Sequence, residues 1–151
     1  MRSSADSMAA SCELSIGTNR LTVTGDTVCI DNPQVWGETD LQAALELFAQ
    51  VRAQQGRLYI ISQAQTPAKL PNTARRLMGK WYATHSIDLL VIVGTGPATR
   101  ALVEMLFGAM RLLSKRAPPA VCFCSELAEA VALVEAERAR NQSVSSKRPP
   151  A

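Results

Sequence analysis

Few side chains in this chain can do chemistry, and most of those lie in its middle third. The one histidine, His85, has Ser62 upstream and Asp88 just downstream, the residue types of a hydrolase triad. A serine nucleophile of that kind needs a sharp turn to expose it, and no Gly-x-Ser-x-Gly sequence surrounds Ser62. His85 falls instead at the end of a helical pattern, where an imidazole interacts with the last free carbonyls. No catalytic residue is expected. The four cysteines are Cys12, Cys29, Cys122 and Cys124, with no C-x-x-C pair. With one histidine available, a tetrahedral zinc site would need all of the cysteines or an added carboxylate. They read as small buried apolar residues of a reducing cytosol, so no metal and no cofactor are expected.

Two stretches can hold an anion. Gly94-Thr95-Gly96-Pro97 opens a helix, where free backbone N–H groups can bind a phosphate or carboxylate, with Arg100 one turn in as helper. No Gly-Lys-Ser/Thr follows, so this is not a P-loop, and the glycines equally suit a plain strand-to-helix turn. Ser62, Thr66 and Thr73 lie in or beside a loop that follows a central strand. Ligands of open α/β sheets gather at such strand ends. Arg75 and Arg76 are close by, which would favour phosphorylation at Thr66 or Thr73, although loop polarity and capping account for the same residues. Trp81 and Tyr82, beside Arg76 and Lys80, suit either an aromatic-basic contact surface or core packing.

Charge is unevenly distributed. Residues 1–46 hold seven acids against Arg2 and Arg20, whereas from Leu47 to Ile87 there is no acid and six bases. A block of this kind attracts an acidic protein face, a phosphate or an anionic membrane surface, unless the acidic first third neutralises it in space. A net charge of +3 does not by itself argue for nucleic acid, and none is expected as a partner. The chain of 151 residues is 47% apolar, which fits one domain and excludes wholesale disorder. Its longest apolar run, Ala101 to Leu113, is broken by Glu104 and is shorter than the roughly 18–20 residues of a membrane span. Residues 1–8 hold no apolar core of a signal peptide, so a cytoplasmic location is expected.

These residues need a frame. Residues 1–11 and the basic stretch 141–151 read as disordered tails around a domain over 12–140. Alternation over Cys12–Ile16, Leu21–Thr24 and Val28–Ile30, with turns at Gly17 and Gly25-Asp26, predicts an antiparallel ribbon. Thr39 to Gln42 has the form of a capping box, and Leu41, Ala44, Leu45, Phe48 and Val51 then make one stripe of a helix ending at Gly56. Leu58–Ile61 predicts a central strand. Asn72 suits the cap of a helix whose inner face is Ala74, Leu77, Met78 and Trp81. Ile87–Val93 predicts a strand, and Pro97 to about Leu113 a broadly apolar helix. That breadth fits a buried helix, a homodimer face or the roof of a ligand pocket. Val121–Phe123 predicts a last strand, and Ser125 caps a final helix with Leu127, Ala130, Val131 and Val134 inside. The expected fold is α/β, a single mixed sheet with an antiparallel edge, a parallel centre and about four helices.

This order resembles the STAS superfamily, in particular its SpoIIAA-like branch, which is related in fold to Sec14-type lipid-binding domains. The residues that carry the resemblance are Thr24-Gly25-Asp26, the strand Leu58–Ile61, and Leu70-Pro71-Asn72-Thr73-Ala74-Arg75-Arg76 leading into a helix. Val91-Ile92-Val93-Gly94 before an apolar helix, and a closing strand and helix, complete it over about residues 12–138. It implies a non-catalytic cytosolic module of signalling or transport. Such a module would meet an acidic partner protein through loop 62–73 and the helix after it, using Ser62, Thr66, Thr73, Arg75, Arg76 and Lys80. The alternative it implies is a small-ligand or lipid carrier with a pocket under helix 97–113, using Gly94, Thr95, Gly96 and Arg100. Antagonist members of the family carry an Asp-Ser pair after the central strand. Here that stretch is Ser62-Gln63-Ala64-Gln65-Thr66, which departs from the phosphorylation switch of those members.

Overall fold

The computed structural model describes residues 10–31, 35–63, 71–113 and 119–147, apart from the side chains of Met110 and Leu113. Thr66 and most of the loop after the central strand lie outside the described residues. Six strands and four helices follow in the order β1 (Ser11–Ile16), β2 (Asn19–Thr24), β3 (Thr27–Asp31), α1 (Glu38–Gln55), β4 (Tyr59–Gln63), α2 (Asn72–Thr84), β5 (Leu89–Val93), α3 (Pro97–Leu113), β6 (Val121–Cys124) and α4 (Leu127–Ser146). All six strands form one sheet in chain order. β1, β2 and β3 pair antiparallel, and β3 to β6 pair parallel. This is the α/β class and mixed sheet that the alternation of patterns predicts.

Tight turns shape the ribbon. Gly17 (φ 59°) follows Ile16 in the β1–β2 turn, and Gly25 (φ 59°) with Asp26 closes Thr24 on Thr27. Positive φ is a conformation glycine adopts without steric cost. Asn19 begins β2 almost fully buried, and its Nδ2 donates to the Val35 carbonyl at 3.0 Å.

Sequential parallel strands joined by crossovers of one hand put every crossover helix on the same face. The packing follows that rule. Ala44, Leu45, Phe48 and Val51 of α1 and Ala74 of α2 join Val28, Ile30, Leu58 and Ile60 in one core cluster. Phe107 of α3 meets Tyr82 of α2 edge-on at 6.2 Å on that same side. The opposite face is covered by α4, whose Ala130 and Val134 pack on Tyr59, Ile61, Leu89, Val91 and Val93. Neighbouring residues Ile60 and Ile61 therefore serve different cores, which is why β4 reads as a continuous apolar run.

Several local expectations change. The capping box at Thr39 is not formed: α1 starts two residues earlier, with Gly37 at its N-cap and no side-chain cap. Likewise Asn72 is the first helical residue of α2 behind Pro71, and Glu126 rather than Ser125 precedes α4. Ser125 Oγ lies 3.3 Å from Glu129 Oε1 instead of capping the backbone. α4 continues through Ser146, past Arg140, and Asn141 Nδ2 donates to Tyr59 Oη at 3.1 Å. Residues 141–146 therefore extend the helix rather than begin a tail. The inner stripe of α4 is Ala130, Leu133 and Val134, while Leu127 and Val131 are exposed. Cys12 is exposed and Cys29, Cys122 and Cys124 are half-buried, all as free thiols. They are less buried than their expected role as core residues requires: Cys12, Cys122 and Cys124 lie on the edge strands β1 and β6, while Cys29 lies on the interior strand β3.

The helix α3 departs furthest from its pattern. Its apolar arc predicts burial, yet Phe107 is the one buried residue among its described side chains. Leu102 is 50% exposed, Met105 66% and Leu112 89%. Phe107 takes the buried position, and the wider apolar arc is left partly or largely exposed.

Candidate functional site: an apolar cleft beneath the third helix

The exposed side of α3 borders a cleft of about 560 Å³. The volume falls within the range of small-molecule sites, roughly 300–1,000 Å³. Ile30, Trp36, Leu41, Ala44, Leu45 and Phe48 line it on the β3–α1 side, Met78 and Tyr82 on α2, and Leu102, Val103, Met105, Leu106 and Ala109 on α3. The pattern explains the placement. Residues 102, 105, 106 and 109 fall on one side of a helix with 3.6 residues per turn. Leu41, Ala44, Leu45 and Phe48 do the same on α1. No topological switch point exists in a sheet whose strands run in chain order, so the crevice lies between the helical layer and the sheet rather than in the sheet itself.

Four polar residues share the cleft: Ser62, Arg75, Thr95 and Thr99. All come from the end of the sheet where β4 and β5 finish and α2 and α3 begin. Among the described residues none of these four side chains has a hydrogen-bond or ion-pair partner. The first N–H groups of α2 are also without a side-chain cap. The cleft is thus apolar along its length and polar at one end. Part of Tyr82 reaches solvent, but burial pushes its phenol well above the ordinary tyrosine value, so it remains neutral.

The residues singled out in the sequence fall into separate groups. Ser62, Arg75 and Thr95 converge on the cleft. Arg76, Lys80 and Thr73 are exposed on α2. Gly94 (φ 79°) makes the turn out of β5, its N–H donating to the Cys124 carbonyl at 2.9 Å. The Gly96 carbonyl accepts from Arg100 N at 3.0 Å, so both glycines serve the strand-to-helix junction. Arg100 points away from Thr95: its guanidinium lies 4.8 Å over the Phe123 ring and its Nε reaches Glu104 Oε1 at 3.4 Å. The anion site expected at Gly94–Arg100 therefore has no helper at Arg100, and Arg75 of α2 takes the neighbouring place.

The triad of Ser62, His85 and Asp88 is not assembled. Ser62 pairs with Ile92 near the end of β5, whereas Asp88 precedes that strand. The Asp88 carboxylate accepts from Arg52 Nη1 at 2.7 Å and Leu58 N at 2.8 Å. The His85 ring stacks on Trp81 at 4.5 Å and its Nδ1 lies 3.1 Å from the Trp81 carbonyl, the helix-end role its position suggests. Trp81 also meets Phe48 and Tyr82 edge-on, which makes it a half-buried packing residue. Among the described residues no cluster of His, Cys, Asp or Glu suits a metal, and no helix is long and apolar enough to cross a membrane.

The spacing of Trp36, Phe48 and Tyr82 did not reveal them as cleft residues, because apolar stripes look alike whether they meet protein or a cavity. Comparison with protein-family models, curated proteins and solved structures finds no match for this chain.

Proposed function

We propose that the protein is a non-catalytic carrier or sensor that holds an apolar or amphipathic small molecule in the cleft beneath α3. The observation that carries this reading is the cleft itself, about 560 Å³ and bordered by α3, which buries only Phe107 among its described side chains. A helix with that much solvent-accessible apolar surface on the cleft loses solvent contact when a ligand fills the space, at roughly 25 cal/mol for each Å² covered. The resemblance to STAS and Sec14-like domains supports the same reading, since some of their members bind lipids or nucleotides. Free cysteines accord with a reducing, cytoplasmic setting.

Native mass spectrometry of the purified, untagged protein tests it. A mass excess that disappears in Leu106→Trp, a variant that fills the cleft from its half-buried α3 wall, is the expected result. A bare chain that also takes up no added apolar compound overturns the reading.

A second reading, a module for an acidic partner protein, is favoured by Arg75, Arg76 and Lys80. They stand exposed on α2 with no acid paired to them among the described residues. It predicts that Arg76→Glu with Lys80→Glu abolishes partner association while the fold persists. Unchanged association would refute it.

A further inference from the structure

We propose that the cleft takes a single-chain amphiphile with an anionic head, oriented so that the head meets Arg75 and the hydroxyls of Ser62, Thr95 and Thr99. The inference rests on the carrier reading above and adds the class and direction of the ligand. Three observations on the same space lead to it.

The first is the division of the lining. The polar groups lie together at the carboxyl ends of β4 and β5, beside Ile30 and Ile92 of the sheet, and the rest of the lining, Trp36 and the side chains of α1, α2 and α3 apart from Arg75 and Thr99, is apolar or aromatic. A uniformly apolar ligand would leave the four polar groups facing hydrocarbon, which costs free energy for each unmet donor. The second is charge. Among the described residues Arg75 is the one charged residue lining the cleft and no acid offsets it, and its planar fork suits a carboxylate or phosphate. The uncapped first turn of α2, from which Arg75 projects, adds its partial positive charge in the same direction. The third is size. From Thr99 to Ala109 the α3 wall runs ~15 Å at 1.5 Å per residue, a length that suits one alkyl chain laid along the helix. A cavity of about 560 Å³ is too small to enclose both tails of a diacyl lipid.

Displacement of the neutral dye Nile red by dodecanoate, dodecyl phosphate and dodecan-1-ol, at a pH where the acids are ionised, tests the proposal on the full chain. At least one anion should bind about tenfold or more tightly than the alcohol, as a charge-assisted contact in place of a neutral one predicts, and the better anion identifies the head group. Arg75→Ala should bring anion and alcohol to similar affinity, while Arg76→Ala, on an exposed residue outside the cleft, should leave the preference intact. Because the readout is a ratio of ligands on one protein, a general loss of stability does not imitate it. Equal affinities in the wild type, or a preference that survives Arg75→Ala, would overturn the head-group assignment while leaving the carrier reading standing. Binding of none of the three would overturn both.

Discussion

Replacing Arg138 with alanine should loosen α4, among the described residues the one helix packed on its face of the sheet. Arg138 of α4 reaches back to the β2–β3 turn, where Nη2 meets Asp26 Oδ1 at 2.6 Å and Nε meets Asp26 Oδ2 at 3.2 Å. Nη2 also donates to Thr27 Oγ1 at 3.1 Å, the guanidinium lies 5.4 Å from the Tyr59 ring centre, and Glu135 pairs with Nη1. The Arg138 and Asp26 side chains are 23% and 17% exposed, between the surface and buried cases. Breaking a buried pair costs about 3–5 kcal/mol and an exposed one about 0–1, so a loss of about 2–3 kcal/mol is expected. Urea unfolding of wild type, Arg138→Ala, Asp26→Ala and the double variant measures it. The coupling between the two sites should be about 1–2 kcal/mol, with the denaturant slope unchanged.

The pH dependence has a definite sign. Burial by itself would raise the Asp26 carboxyl, but hydrogen bonds and charge from Arg138, with the Thr27 hydroxyl, outweigh it and hold the group below the ordinary carboxylate value. A depressed folded-state pKa stabilises above the unfolded value of about 4 and loses that contribution as pH falls through the folded value. The advantage of wild type over Asp26→Asn should therefore be full at neutral pH and shrink below about pH 4. Additive losses in the cycle, or an advantage that grows on acidification, would refute this reasoning.

Other perturbations separate core from cleft. Leu21 is fully buried, and Leu21→Ala should cost about 2–5 kcal/mol by denaturant unfolding, whereas Leu112→Ala, at a residue 89% exposed, should stay within about 0.5 kcal/mol. Asp88→Ala removes the acceptor shared by Arg52 and Leu58 N and should cost about 1–3 kcal/mol, while leaving ligand uptake unchanged. Filling the cleft with Leu106→Trp should abolish ligand uptake by native mass spectrometry and move Tm by only a few degrees, because Leu106 borders open space.

Local periodicity made much of the fold legible. Leu41, Ala44, Leu45, Phe48 and Val51 form the buried stripe of α1 as their spacing predicts, and Gly56 (φ 74°) ends that helix. The alternation of strands and helices led to the mixed sheet, because crossover length and handedness leave few other arrangements. Cap positions were less legible. Thr39, Asn72 and Ser125 are good capping types, but the N-caps fall two residues from Thr39 and one from Asn72 and Ser125, and a capping side chain contributes only about 1 kcal/mol to that choice.

The cleft was only half legible. Ser62, Thr95 and Arg75 drew attention as polar residues near strand ends, yet their convergence depends on the placement of α2 and α3 over the sheet. Arg100 was assigned to the wrong side because proximity in sequence to Gly96 does not fix direction around a helix. At 100° per residue, Thr99 and Arg100 face different neighbours. The Arg138–Asp26 clamp joins residues 112 apart, and no local spacing announces such a pair.

The central claim is that the space beneath α3 is where a ligand binds. Methyl-resolved NMR of the full chain, titrated with dodecanoate, tests it most directly. The methyl signals of Leu41, Leu45, Val103 and Leu106, which line the cleft, should shift together and saturate at one equivalent. Those of Val91 and Val134, packed on the opposite face under α4, should stay in place. Shifts confined to the α4 face, or a titration in which the cleft methyls do not move, would contradict the account.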